Sequence, residues 1–107
     1  MKQCFPDELH EKRDRGDDFV LLDVRNNDEL TFARLDPCVH IPLHEIEARV
    51  HELALYADNE IVVLCHAGLR SAMAQQFLEA RGFANVRNLM GGIDAYAAEI
   101  EPELARY

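Results

Sequence analysis

Apolar residues along this chain follow two periods in alternation. Compact runs such as Phe19-Val20-Leu21-Leu22 and Ile61-Val62-Val63-Leu64 are rich in β-branched side chains and read as strands buried on both faces. Between them, apolar positions recur every three or four residues, the spacing of a helix with one buried stripe. Lys2 to Cys4 reads as a short edge strand. Pro6 to Arg15 reads as a helix, with proline favourable in the first turn and Gly16 ending it. Phe19–Val24 and Cys38–Ile41 are predicted strands, and Glu45, Ile46, Val50, Leu53 and Ala54 outline a second helix. A strand over 61–64 precedes a helix over 71–81, in which Ala72, Met73, Phe77 and Leu78 form the apolar stripe and Gly82 supplies the stop. A strand over 85–88 and a helix from Gly92 to Glu99 complete the series. Asn26 to Pro37 has no clear periodicity.

Strands alternating with helices predict an α/β fold with a mostly parallel sheet of about five strands covered on both faces. The 107 residues, 49% of them apolar, suffice for one core and are expected to form a single domain, 1–107. Ligands in such folds bind beyond the carboxyl ends of the strands. That draws attention to Cys65, where the run Ile61–Leu64 ends.

Cys65-His66-Ala67-Gly68-Leu69-Arg70-Ser71 crosses from the strand to a helix. A short crossing of this kind turns several backbone N–H groups inward, sets the sulfur beside the partial positive charge of a helix N-terminus, and adds the permanent cation of Arg70. All three favour a thiolate, the nucleophilic form of cysteine. Gly68 suits the turn because a tight anion-binding loop needs positive φ or close backbone approach. A merely structural cysteine explains neither Gly68 nor Arg70.

The neighbouring candidates read differently. Asp23 and Arg25 follow a buried strand and are expected to give structural support, pairing with each other, with Glu29 or with loop amides. His66 is either a base or a loop residue tuning the local field, and a ready thiolate needs no base. Ser71 either donates to the loop or caps the helix. Cys38, His40, His44, Cys65 and His66 lack the Cys-x-x-Cys or His-x-x-x-His spacing of a zinc site, so no metal is expected. Gly91 and Gly92 are expected to permit a sharp entry into the last helix.

The loop Cys65–Arg70 resembles the active-site loop of the rhodanese-type sulfurtransferases, six residues that begin with cysteine and often end in arginine. The resemblance extends along most of the chain. Leu21-Leu22-Asp23-Val24-Arg25 with Asp28-Glu29 is similar to the family's first signature, His40-Ile41-Pro42-Leu43 to the end of its second strand, and Leu89-Met90-Gly91-Gly92-Ile93-Asp94-Ala95-Tyr96 to its carboxyl-terminal signature. The chain departs from the pattern at Arg34–Cys38, where a His-Ile-Pro-Gly-Ala run is usual, and at Tyr96, where tryptophan is common.

The resemblance implies a rhodanese-like three-layer fold and a sulfurtransferase in which Cys65 takes the outer sulfur of thiosulfate or a similar donor as a persulfide. Cyanide, a low-molecular-weight thiol or a protein thiol then accepts it. His66, Ala67, Gly68, Leu69, Arg70 and Ser71 would bind the substrate, with no cofactor. Phosphatases and arsenate reductases related to this fold have a loop one residue longer, and noncatalytic binding modules often lack the cysteine.

Charge and cysteine usage narrow the setting. A formal charge of −9 and a pI near 4.9 oppose nucleic-acid or anionic-membrane partners. Screening over about 8 Å leaves a local cation free to act on an anionic donor. Three cysteines without a close pair, no apolar stretch of membrane-spanning length and no hydrophobic leader lead to an expectation of a reducing cytoplasm.

Overall fold

The computed structural model describes residues 2–107, so Met1, included in the expected domain, lies outside the described residues. Its centre is a five-stranded sheet in which every pairing is parallel. In chain order the strands are β1 (Gln3–Cys4), β2 (Val20–Asp23), β3 (Val39–His40), β4 (Glu60–Leu64) and β5 (Asn85–Leu89). Across the sheet they run β1-β5-β4-β2-β3. The helices are α1 (Pro6–Arg15), α2 (Ile46–Arg49), α3 (Leu69–Ala80) and α4 (Gly92–Glu99).

The period of two along β4 divides the core into two layers. Ile61, Val63 and Cys65 face Ile46, Leu53, Ala74 and Leu78 on one side of the sheet. Val62 and Leu64 face Leu9, Ile93 and Tyr96 on the other. The sheet is thus sandwiched between α2 with α3 and α1 with α4, and β4, paired on both edges, is its rigid middle. Each fully buried Leu, Ile or Val contributes about 1.5–3 kcal/mol through removal from water. Tyr96 packs wholly buried, with its hydroxyl accepting from Arg13 at 2.9 Å.

Local signals account for most boundaries. In α1 the Glu8 carboxylate accepts the Phe5 N–H at 3.0 Å, basic residues occupy the last turn, and Gly16 turns out of the helix at φ 71°. These contacts satisfy groups that a helix end leaves unpaired and complement its dipole.

Two elements differ from expectation. The predicted helix through Glu45–Ala54 is instead a 3₁₀ turn (Leu43–Glu45), the four-residue α2, and a 3₁₀ segment (Val50–Tyr56). Val50, Leu53 and Tyr56 all pack on the core. Their spacing of three matches the three-residue turn of a 3₁₀ helix rather than the 3.6 of an α-helix. Helix α3 begins at Leu69, two residues before the expected start. Leu69 is exposed and adds nothing to the apolar stripe, so periodicity could not include it.

Candidate active site

Cys65 stands at the carboxyl end of the most enclosed strand and is itself 1% exposed. The chain then reverses at Gly68, whose φ is 110°, and enters α3. A Cβ at Gly68 would meet its neighbours at ordinary van der Waals distance, so the requirement for glycine there is the backbone angle rather than space. The turn brings the Gly68 N–H to the Cys65 sulfur, donating at 3.0 Å. The sulfur therefore sits at the start of a twelve-residue helix whose first amides have no carbonyl one turn back. Such amides can serve an anion in the cradle.

The loop is held from behind by α4. Ile93 N–H donates to the Cys65 carbonyl at 2.9 Å and Asp94 N–H to the His66 carbonyl at 3.0 Å. Those two carbonyls are thereby engaged on the α4 side instead of crowding the sulfur. The approach is possible because Gly92 has no side chain, for a Cβ there would collide with both carbonyl groups. Gly92 thus does more than ease entry into α4.

Asn88, on β5, locks the loop from the side. Its amide nitrogen donates to the Gly68 carbonyl at 3.1 Å, and its oxygen accepts the buried Ser71 hydroxyl at 2.5 Å. With its proton committed to Asn88, the Ser71 oxygen, 3.3 Å from the Cys65 sulfur, is left as an acceptor for a thiol proton. Of the two expectations for Ser71, the structure thus shows neither an N-cap nor a donor to the loop.

Asp23 and Arg25 form a wholly buried pair. The carboxylate accepts Arg25 Nε, Nη2 and the Arg25 backbone N–H at 2.7–3.1 Å. The remaining guanidinium donors reach the carbonyls of Ala33 (2.8 Å) and Glu29 (3.3 Å). The pair therefore fastens the end of β2 to the 29–33 segment, and nothing of it faces the sulfur loop directly.

The Glu29 carboxylate turns to Arg70 instead. Nη1 and Nη2 of Arg70 contact its two oxygens at 2.5 and 2.8 Å, while Asn26 N–H and the Tyr107 hydroxyl donate to it at 3.1 and 2.8 Å. The Arg70 hydrogen bonds outweigh the opposing effect of burial and, with those of Asn26 and Tyr107, hold the Glu29 carboxyl down to about 2. The cation expected beside the donor is thus already matched by a carboxylate. His66 is half-buried under Tyr107, the two rings stacked at 4.2 Å, and Ala67 and Leu69 are exposed at the mouth.

The other cysteines lie in different surroundings. Burial, reinforced by Glu8, pushes the Cys4 thiol up to about 11, and burial with Asp23 and Asp36 raises that of Cys38. Both stay thiols at neutral pH. Asn88 and Tyr107 escaped sequence reasoning. β5 carries the polar Asn85 and Arg87 beside Asn88, so nothing in the strand singled Asn88 out, and nothing local marked Tyr107.

Comparisons with known proteins agree with this arrangement. The family described as the rhodanese-like domain matches residues 5–99. A sulfurtransferase of Allochromatium vinosum is 33% identical over 89 residues, covering 83% of this chain and 81% of that protein. A Bacillus subtilis protein, YrkF, whose name is that of a sulfur carrier, is 36% identical over 91 residues, covering 85% of this chain. The chain spans only 48% of YrkF and less of other, longer relatives. A rhodanese-related protein from Thermoplasma volcanium superimposes with a TM-score of 0.83 at 29% identity, covering 95% of this chain and 96% of that one. With a cysteine-headed loop cradled between β4 and α3 and a family match over most of its length, the chain belongs to the rhodanese-like domain family.

Proposed function

We propose that this protein is a sulfurtransferase that carries sulfane sulfur on Cys65. The observation that carries the reading is the Gly68 N–H donating to the Cys65 sulfur at the start of α3, an environment that suits a negatively charged sulfur. With thiosulfate as the simplest donor, the Cys65 thiolate attacks the outer sulfur. A new S–S bond forms, the donor S–S bond breaks, and sulfite leaves with the electron pair. In the second half an acceptor (cyanide, a small thiol or a protein thiol) attacks the terminal sulfur and the Cys65 thiolate is regenerated. Two half-reactions through a covalent intermediate give ping-pong kinetics. The loop amides and the α3 dipole stabilise the terminal sulfur of the persulfide.

Intact-protein mass spectrometry after incubation with thiosulfate, and in parallel with glutathione persulfide, tests the reading. A one-sulfur adduct on wild type, absent from Cys65→Ser and discharged by cyanide, is the expected result. Failure of both donors to load Cys65 would sink the reading.

A further inference from the structure

We infer that the site is built for a low-molecular-weight organic persulfide, R–S–SH, in preference to a bare inorganic anion, and that Tyr107 is the specificity-determining residue that receives the organic group. The inference deepens the sulfur-transfer reading and rests on it.

Two independent features of the mouth point this way. The first is charge. Thiosulfate brings two negative charges and its sulfite leaves as a dianion, so its reaction gains most from an uncommitted cation. The guanidinium beside the loop, that of Arg70, is matched by Glu29, and the buried Arg25, which reaches Tyr107, is matched by Asp23. A dianion must therefore draw Arg70 away from Glu29 or react without it.

The second feature is the surface. The Tyr107 ring stacks on His66 at 4.2 Å and on Phe32 at 5.4 Å, with interplanar angles of 12° and 23°. Tyr107 is 37% exposed, Phe32 57% and the loop residue Leu69 81%. The stacked Phe32 and Tyr107 rings beside His66 are an aromatic face, suited to carbon rather than to a small oxyanion. It is also held in place. The Tyr107 hydroxyl accepts from Arg25 at 3.0 Å and donates to Glu29 at 2.8 Å, and Arg106 grips Asp94 with two hydrogen bonds of 3.0 and 3.1 Å. A merely trailing segment would not be tied on both sides of the loop.

The chemistry needs no further reactant. The Cys65 thiolate attacks the outer sulfur of R–S–SH, the Cys65–S bond forms as the donor S–S bond breaks, and R–S⁻ departs with the electron pair. The proton stays on the transferred sulfur, giving Cys65–S–SH. The donor enters neutral, and the negative charge of the Cys65 thiolate leaves on R–S⁻.

The test compares kcat/KM for thiosulfate and for glutathione persulfide, with cyanide as acceptor, in wild type, Tyr107→Ala, Tyr107→Phe and Glu29→Gln. Circular dichroism confirms that each variant is folded. Wild type should favour the persulfide. Tyr107→Ala should raise KM for the persulfide, moving the thiosulfate-to-persulfide ratio up by about fivefold, the scale of one aromatic contact. Tyr107→Phe, which keeps the ring, should restore most of the persulfide value. Glu29→Gln should raise the ratio by about tenfold through the thiosulfate arm, because Arg70 loses its counter-charge. A wild type that prefers thiosulfate, or a Tyr107→Ala that slows both donors equally, would overturn the inference while leaving sulfur transfer standing. Absence of a Cys65 adduct with either donor would overturn both.

Discussion

The three cysteines of this chain differ in what surrounds them. Only the Cys65 sulfur accepts a backbone N–H at the start of a helix, whereas burial raises the thiols of Cys4 and Cys38. Cys65→Ser should abolish sulfur transfer in a thiosulfate–cyanide assay, and Cys4→Ser and Cys38→Ser should retain it, provided melting curves confirm folding. Asn88 gives a finer test, since it touches both the Gly68 carbonyl and the Ser71 hydroxyl without reaching the sulfur among its hydrogen-bond partners. Asn88→Ala should leave the fold intact and lower kcat/KM by about tenfold or more, because small misplacements of a reacting group are costly. Unchanged kinetics would make Asn88 a strand residue and nothing else. Cys65, Gly68 and Arg70 were legible in the sequence because their chemistry is written within six contiguous positions. Asn88 was not, since its partner Gly68 lies 20 residues away. The partner of Arg70 was equally hidden: Glu29 is 41 residues distant, and the sequence left it among several candidates for Arg25.

At the level of elements, the site is a joint between three of them: β4 delivers the sulfur, α3 its amide end, and α4 the support behind. The support depends on Gly92, where φ is 65° and a Cβ would strike the carbonyls of Cys65 and His66. Gly92→Ala should therefore cost about 2–4 kcal/mol of stability in chemical denaturation and reduce sulfur transfer together with it. A loss under about 0.5 kcal/mol, the level of an ordinary surface change, would mean that α4 adjusts without harm. The alternation of strands and helices was readable because the buried pieces carry it: β4 is buried over Ile61–Leu64 and α3 buries Leu78 of its expected stripe, although Met73 of that stripe is exposed and Ala74 is buried instead. The segment from Leu43 to Tyr56 was misread because Ile46, Val50 and Leu53 satisfy α-helical spacing while Val50, Leu53 and Tyr56 satisfy the 3₁₀ period, and packing on the core decided between them. The stretch Asn26–Pro37 had no period to read, since its order comes from Arg25 binding the carbonyls of Glu29 and Ala33.

For the molecule as a whole, a formal charge of −9 means that acid first relieves repulsion, as the net charge approaches zero near pH 4.9. Specific carboxylates act in the opposite sense. Hydrogen bonds from arginine hold Glu29, Asp17, Glu52 and Asp94 below their usual range, despite opposing desolvation. A carboxylate with a depressed folded-state pKa stabilises the native protein above its ordinary pKa, and that stabilisation is lost as pH falls toward the folded value. For Glu29 the window runs from about 4.5 down to about 2. Its arginine partner is one-third exposed, so solvent screening limits the contribution to about 1 kcal/mol. Glu29→Gln isolates this effect from the general charge. Urea denaturation of the two proteins should show wild type more stable by about that amount at pH 7, the gap narrowing between pH 4.5 and 2 and closing below it. A gap that stays constant across this range would show that the Glu29 charge contributes nothing and that its hydrogen-bonding shape alone holds Arg70. A gap that widens in acid would reverse the sign and place the ionised carboxylate among the destabilising groups.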